Sequence, residues 1–236
     1  MSKSKKPGGK GMASSTRALK VRVKSAKGRR LSSTLWLQRQ LNDPYVQAAQ
    51  AEGYRSRSAF KLSEIDDKYK FLKKGKSVID LGAAPGGWCQ VAAKRVGSQE
   101  GSGKVIGIDL QEIEPILGVE LLQMDFMEEG ADTQLYNLLG GEVDIVLSDM
   151  AAASTGHKQT DHIRIIALAD TAHHFARTVL SPGGVFLAKV LQGGSENSLL
   201  IALKKDFSNV RHVKPDASRK DSAELYVLAT GFKSKS

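Results

Sequence analysis

The sequence lacks the features on which secreted and membrane proteins depend. It has a single cysteine, Cys89, in 236 residues, so an internal disulfide framework is excluded and a reducing compartment is expected. No run approaches the roughly 18 consecutive apolar residues of a membrane-spanning helix. The start of the chain also lacks the apolar core of a secretory signal. We therefore expect a cytoplasmic protein that is not embedded in a membrane.

Acidic residues are absent from residues 1–30, which hold eleven Lys or Arg, whereas the rest of the chain is formally −1. A Lys-, Gly- and Ser-rich segment cannot bury enough apolar surface to fold alone, so residues 1–30 are predicted to be a disordered basic arm. Nucleic acid is the partner that fits such an arm best. A solubilising tail and a mitochondrial presequence remain the alternatives. Residues 31–236 are predicted to form one domain, with helices over 31–76 and an α/β core over 77–236.

Motifs for several common chemistries are also missing. The histidines at 157, 162, 173 and 174 do not follow zinc-ligand spacing, and Cys89 is distant from them in sequence. There is no Gly-x-Ser-x-Gly elbow and no phosphate-binding Gly-Lys-Thr loop. We expect no metal site, and neither a serine hydrolase nor a P-loop enzyme.

From Ser77 onward the sequence alternates apolar runs with helical patterns. Strands are predicted over residues 77–82, 104–109, 119–123, 143–148, 184–191, 209–214 and 224–230, and helices near 87–97, 131–139, 161–180 and 195–206. This alternation predicts a seven-stranded, mostly parallel sheet with helices on both faces. Because no helical pattern separates the last two strands, those two should pair antiparallel. Upstream, three helices are predicted: one capped by Ser33, one from Asp43-Pro44 to Gly53, and one from about Ser56 to Tyr69.

The segment over residues 78–88, VIDLGAAPGGW, predicts a strand, a tight turn and a helix. Gly82, Gly86 and Gly87 allow positive φ and leave no Cβ between the backbone and a ligand. The loop that they form with Pro85 is therefore predicted to bind a cofactor at the start of the helix. Asp80 would repel a pyrophosphate but suits a cationic amine or sulfonium. S-adenosylmethionine is therefore favoured over NAD.

Acidic residues recur where the predicted strands end, at Asp80, Asp109, Asp125 and Asp149. The carboxyl ends of strands define the ligand crevice of an open α/β sheet. Asp109 is placed to accept both hydroxyls of a ribose, and Asp125 can accept a hydrogen bond from an adenine amino group. The four acids together predict one cofactor crevice, although N-capping explains single cases.

Two lysines occupy positions that the patterns place against the core. Lys189 shares a strand face with apolar residues, and a buried ammonium needs an acidic partner, for which Glu224 is a candidate. Lys61 lies on the inner edge of the helix that ends near Tyr69. Around it is a basic surface, which is either an RNA contact or a solvated helix face; its members are Arg55, Arg57, Lys68, Lys70, Lys73, Lys74 and Lys76.

Five segments together resemble the FtsJ/RlmE family: YRSRSAFKL at 54–62, VIDLGAAPGGW at 78–88, LSDMA at 147–151, GVFLAKV at 184–190 and AELYVLATG at 223–231. The resemblance spans about residues 35–232 and implies a Rossmann-like, S-adenosylmethionine-dependent RNA 2′-O-methyltransferase. It implies a catalytic tetrad of Lys61, Asp149, Lys189 and Glu224. It also implies cofactor contacts at Gly86, Trp88, Asp109, Asp125 and Asp149. Residues 150–156 depart from the family pattern, which has a proline after Ala151.

Length and motifs are similar to those of bacterial family members that methylate a uridine ribose in the A loop of 23S rRNA in the large ribosomal subunit. The resemblance therefore implies this substrate and a monomeric enzyme. Lys189 would act as a general base or, with Lys61, as a charge that stabilises the developing alkoxide. The alternatives are an inactive RNA-binding assembly factor, an NAD-dependent oxidoreductase and a small-molecule methyltransferase. All four tetrad positions are present, and the basic arm favours an RNA substrate.

Overall fold

The computed structural model describes residues 31–193 and 197–234, so the predicted basic arm lies outside the described residues. The chain divides into two compact units, with the boundary between Pro44 and Tyr45. In the first unit, helix α1 spans Leu31–Leu41. Ser33 was predicted to cap this helix, but the helix begins two residues earlier and Ser33 lies inside it. Helix α2, Pro44–Glu52, begins at the unit boundary and is followed by Gly53 with φ +73°.

The second unit contains the predicted α/β core. Its strands are β1 (Ser77–Leu81), β2 (Lys104–Asp109), β3 (Glu120–Gln123), β4 (Val143–Ser148), β5 (Leu180–Leu191), β6 (Phe207–Val213) and β7 (Glu224–Phe232). Its further helices are α3 (Ser58–Tyr69), α4 (Gly87–Val96), α5 (Ala131–Leu139), α6 (Lys158–Val179) and α7 (Asn197–Asp206), with a 3₁₀ turn at Ser98–Glu100. None of the helices in the described ranges is long and apolar enough to span a bilayer.

The seven strands form one sheet in the order β3-β2-β1-β4-β5-β7-β6. The first five strands pair in parallel, whereas β7 is antiparallel to both β5 and β6. This arrangement confirms the predicted mostly parallel sheet with an antiparallel end. Within the sheet the chain first forms β1, then adds β2 and β3 towards one edge. It then returns to add β4 on the other side of β1. The ligand crevice of such a sheet lies at this reversal, beyond the carboxyl ends of β1 and β4.

The core consists of two apolar layers, one on each face of the sheet. Alternate residues of β1 show the division, because Val78 packs with one layer and Ile79 with the other. Helices α3 and α4 cover the first layer, for example through Leu62 and Val91. Helices α5, α6 and α7 cover the second. The site residues described below are therefore held between the sheet and rigid helices.

Strand β5 differs from its prediction by beginning four residues earlier, at Leu180. The sequence Ser-Pro-Gly-Gly after Leu180 is typical of a turn, which is why a loop was predicted. In the structure Leu180 pairs with Val143, and the register then shifts before Ile145 pairs with Val185. Such an irregularity lets turn-forming residues remain within a strand.

Candidate active site

A cleft of about 460 Å³ opens at the carboxyl ends of β1, β2 and β4. Its volume lies in the usual range for ligand pockets. Five residues predicted to contact a cofactor line this cleft: Gly82, Pro85, Asp109, Asp125 and Asp149. The sheet thus brings together residues from four separate segments of the sequence.

The loop after β1 packs tightly against the residue that follows Asp149. Gly82 has φ +75°, and a Cβ added there would lie 2.7 Å from the Met150 side chain and 2.9 Å from its Cα. The amides of Gly82 and Ala83 both donate to the Ile108 carbonyl, at 2.9 and 3.0 Å. Glycine is therefore required for the close approach of the loop to both neighbouring strands.

Three other predicted cofactor residues, Gly86, Gly87 and Trp88, pack against neighbouring segments of the protein. Gly86 has φ +108°, and a Cβ there would lie 2.5 Å from Ile116. A Cβ on Gly87 would lie 2.4 Å from the Ser56 hydroxyl. Trp88 is buried, and its indole N–H donates to the Ser58 carbonyl at 2.8 Å. These residues fix the start of α4 against α3 and the segment before β3.

Asp80 lies beneath the cleft and not along its wall. It is 0% exposed, and the Cys89 thiol donates to its Oδ2 at 3.2 Å. Burial raises the pKa of Asp80 to about 8; the thiol opposes this rise, and the carboxylates of Asp149 and Asp109 add to it. Because this pKa is above 7, Asp80 is mainly uncharged at neutral pH. The structure therefore gives it a supporting position, where the sequence suggested a charged contact.

The two carboxylates along the cleft are oriented by backbone amides. Asp109 accepts hydrogen bonds from the amides of Ala84 and Gln111, both at 2.9 Å. Asp125 accepts one from the Met127 amide at 2.8 Å. A carboxylate has about four acceptor sites, so both retain acceptor capacity for a ligand.

The chemistry of the cleft suits a nucleoside that carries a positive charge. Its walls include the apolar side chains of Ile108, Phe126 and Leu168. Among the described residues that line it there is no lysine or arginine to neutralise a pyrophosphate. Acidic acceptors and apolar walls fit the ribose, the adenine and the sulfonium of S-adenosylmethionine. Within residues 31–193 and 197–234, no three His, Cys, Asp or Glu side chains are grouped to hold a metal ion.

Asp149 also belongs to a cluster of ionic side chains beside the cleft. Lys189 Nζ lies 2.8 Å from Asp149 Oδ1 and donates to the Asp149 carbonyl at 2.7 Å. Lys61 Nζ lies 2.5 Å from Glu224 Oε1. The four residues named from the resemblance therefore meet at one place. Glu224 was expected to pair with Lys189, but each lysine instead has its own carboxylate.

Three hydroxyl groups contact the carboxylates of the two ion pairs, and sequence reasoning missed all three; the Tyr226 hydroxyl alone among them reaches both carboxylates. Tyr226 lies 2.9 Å from Asp149 Oδ1 and 3.3 Å from Glu224 Oε1. Ser58 donates to Asp149 Oδ2 at 2.7 Å, and Ser218 donates to Glu224 Oε1 at 3.2 Å. Spacing was an available signal for two of them, because Tyr226 is two residues after Glu224 on a strand and Ser58 is three residues before Lys61 on a helix.

The electrostatic environment keeps Asp149 ionised and Tyr226 neutral. Burial alone would raise the pKa of Asp149, but the ammonium groups of Lys189 and Lys61, with hydrogen bonds from Lys189 and Ser58, lower it below its ordinary value. Burial raises the pKa of Tyr226 well above its ordinary value, and the carboxylates of Asp149 and Glu224 raise it further. The tyrosine is therefore a neutral donor. The cluster can stabilise negative charge that develops on an oxygen at the end of the cleft.

Comparisons with known proteins give one family. A model of the FtsJ-like methyltransferase family matches residues 54–232. A protein of Parvibaculum lavamentivorans named ribosomal RNA large subunit methyltransferase E is 64% identical over 235 residues, covering 97% of this chain and 92% of that protein. A protein of the same name from Ruegeria pomeroyi is 60% identical over 222 residues, covering 92% of this chain and 95% of that protein. A crystal structure of a protein named as a ribosomal RNA methyltransferase from Plasmodium falciparum has a TM-score of 0.68 and 34% identity, covering 77% of this chain and all of that one.

Proposed function

The chain belongs to the FtsJ-like methyltransferase family, and from this premise we propose that it transfers the methyl group of S-adenosylmethionine to a ribose 2′-hydroxyl of large-subunit ribosomal RNA. One observation carries the proposal. Asp149 lines the cofactor cleft and also accepts the contacts of Lys189, so the end of the cleft adjoins two lysines. A methyl donor in the cleft and an acceptor oxygen at the lysines would then be neighbours.

In this proposal the cleft residues hold the cofactor by its nucleoside. Asp109 accepts the ribose hydroxyls, and Asp125 accepts the adenine amino group, while Phe126 and Leu168 form apolar walls. The bound cofactor supplies a methyl group that is already activated as a sulfonium. The main task of the protein is then to orient the acceptor oxygen in line with that methyl group.

We assign the acceptor oxygen to the side of Lys189 that faces away from Asp149. An ammonium has three N–H donors, and Lys189 uses two of them on the Oδ1 and carbonyl oxygens of Asp149. The third can contact the 2′-oxygen. Because the ammonium and the carboxylate stabilise each other as ions, we favour the role of stabilising the developing alkoxide over that of a general base, with the proton of the 2′-hydroxyl passing to solvent water as the oxygen takes the methyl group.

Lys61 would complete the oxygen-binding site, with Glu224 as its partner. The Lys61 side chain is 12% exposed, so its charge is screened less than that of a surface lysine. Tyr226 and Ser218 hold Glu224 through hydrogen bonds. A substrate ribose would therefore meet two oriented ammonium groups at low cost in reorganisation.

The substrate is inferred from the relatives and from charge. The similar proteins from Parvibaculum and Ruegeria are named as large-subunit ribosomal RNA methyltransferases. Residues 1–30 carry eleven basic residues and no acid, which suits a polyanion. We propose the 2′-oxygen of a uridine in the A loop of 23S rRNA as the site of methylation, which places the enzyme in the cytoplasm with the ribosome.

The test is methyl transfer from labelled S-adenosylmethionine to large ribosomal subunits, protein-free 23S rRNA and tRNA. We expect label in rRNA, recovered as 2′-O-methyluridine after nuclease digestion. Lys189→Met should abolish most transfer, whereas the matched control Lys104→Met, at the far end of β2 beside Glu120, should not. Label only in tRNA, or in none of the three substrates, would contradict the proposal.

A further inference from the structure

The structure divides the basic surface around α3 into two groups of cations. Arg55 donates to the carbonyls of Glu114 and Pro115, at 2.6 and 2.9 Å, and so holds the segment before β3. Arg57 donates to the Ala217 carbonyl, and Lys76 lies 2.7 Å from Asp144 Oδ1. These three cations have structural partners, so they do not account for an RNA-binding face.

Lys70 is also paired, with Asp67 at 3.4 Å, and the other lysines of this surface are grouped with a residue from a distant part of the sequence. The ring of Tyr69, the last residue of α3, contacts two cations: the Arg211 guanidinium, 5.2 Å from the ring centroid, and the Lys68 ammonium, 5.5 Å from it. These contacts are within cation–π range and hold both cations over one ring. We call these three residues, together with the lysines that follow them closely in the chain, the Tyr69 strip; the added lysines are Lys73 and Lys74 after α3 and Lys214 after β6.

The strip carries uncompensated positive charge. All five of its basic residues are exposed. Among the ion pairs of the described residues, none contains Lys68, Lys73, Lys74 or Arg211. Lys214 donates to the Ser222 carbonyl, which leaves its charge without an acid. Because residues 31–236 are formally −1, this concentration of cations is local and not an average property of the surface.

The strip and the ionic cluster lie on the same face of the sheet, because Tyr69 and Tyr226 pack in the same apolar layer. In the β6–β7 ladder Val213 pairs with Tyr226, which contacts both carboxylates, and Arg211 pairs with Leu228 two residues further along. On α3, Tyr69 follows Lys61 by eight residues, or about 12 Å at 1.5 Å per residue. A polyanion that enters the cluster could therefore continue along α3 and β6.

We propose that the Tyr69 strip binds the phosphate backbone of the RNA substrate next to the modified nucleotide. The proposal rests on the proposed function and names a surface for its substrate. A charge on the edge strand β6 can prevent unwanted pairing with another chain, and this would account for the exposure of Arg211. It would not account for the exposed lysines of α3 and of the segment that follows it. Cations grouped around an aromatic ring are typical of surfaces that bind single-stranded RNA.

The test compares Lys68→Gln/Arg211→Gln with the control Lys204→Gln/Lys205→Gln, which removes the same charge from exposed positions of α7, on the other face of the sheet. Affinity for protein-free 23S rRNA is measured at several salt concentrations, with thermal melting to confirm folding. We expect the strip variant to bind more weakly, with a slope of log K against log salt that is smaller by roughly 1.4 to 1.8 for two lost phosphate contacts. Its rate at saturating RNA and its cofactor affinity should equal those of the wild type.

The proposal would be overturned if the plots of log K against log salt had the same slope for the strip variant and the wild type. It would also be overturned if the variant lost affinity for intact large subunits but not for protein-free rRNA, because the partner would then be a ribosomal protein. Tyr69→Phe should retain binding, and Tyr69→Leu should weaken it. If the wild type methylates no rRNA, the proposed function is wrong; if it does and the strip variant binds normally, only this inference is wrong.

Discussion

The buried carboxyl group of Asp80 predicts an unusual dependence of stability on pH. Asp80 is 0% exposed, has one hydrogen bond from the Cys89 thiol, and has a pKa raised by burial to about 8. In the unfolded chain the same group titrates near 3.8. The folded protein therefore retains a proton on Asp80 between about pH 4 and pH 8, where the unfolded chain does not.

The sign and size of the effect follow from this difference in bound protons. When the folded state binds more protons, stability is greatest at low pH and falls as pH rises towards the folded pKa. Each pH unit in this window corresponds to about 1.4 kcal/mol. From pH 5 to pH 8, Asp80 alone should lower the free energy of unfolding by about 4 kcal/mol, and its contribution becomes constant only above about pH 9, where the folded state has also lost the proton.

Asp80→Asn removes the titration while keeping the size of the side chain. Its amide oxygen can still accept from Cys89, but its N–H groups lack a partner in a buried site, which costs about 1–3 kcal/mol. We expect the variant to be less stable than the wild type at pH 5 and to approach or exceed it at pH 8. Urea unfolding of the cofactor-free protein at four pH values gives both curves, with Asp125→Asn as a control at a partly exposed carboxylate. If the free energy of unfolding changed with pH in the same way for Asp80→Asn and for the wild type, the argument would be refuted.

Four further predictions concern the site and the arm. Asp109→Asn should weaken S-adenosylmethionine binding about tenfold or more by calorimetry, because an ionised acceptor for the ribose is lost. Lys189→Arg should retain part of the single-turnover rate if the residue acts through its charge, whereas a general base would leave the variant inactive because arginine does not lose its proton. Ser58→Ala should raise the pKa of Asp149 and shift the acidic limb of the pH–rate profile upward, and Ser58→Thr should restore it. Deleting residues 1–30 should reduce the salt dependence of RNA binding but not the rate at saturating RNA; an unchanged slope would indicate a solubilising or targeting tail.

Much of the fold could be predicted because local patterns and tertiary packing agree. The helix predicted over 131–139 is α5 to the residue, and β4 matches its predicted span. The antiparallel pairing of β6 and β7 followed from the absence of a helix between them. The start of β5 could not be predicted, because its Ser-Pro-Gly-Gly segment favours a turn locally, whereas the pairing of Leu180 with Val143 starts the strand before that segment.

The site shows a sharper division between what a sequence pattern can and cannot predict. A strand-end acid such as Asp109 is placed by the parallel sheet alone, so its position in the cleft followed from the strand pattern. The pairing of Lys189 with Asp149 depends on how β4 and β5 align, and Glu224 was the wrong partner. Asp80 looked like a charged ligand contact, because sequence shows the carboxyl group but not its complete burial.

Asp149 explains why the cleft and the ionic cluster form one site and not two neighbouring ones. Its backbone follows β4, the strand that pairs with β1 on the side opposite to β2. The order of the strands along the sheet reverses there, so the position of Asp149 is set by topology. Its two carboxylate oxygens are held from opposite elements, Oδ2 by Ser58 on α3 and Oδ1 by Lys189 on β5. The Ser58 carbonyl in turn accepts from Trp88 at the start of the helix after the β1 loop. A displacement of that loop would therefore reach the carboxylate that contacts Lys189, so the shape of the cleft and the geometry of the ionic cluster are linked through Ser58.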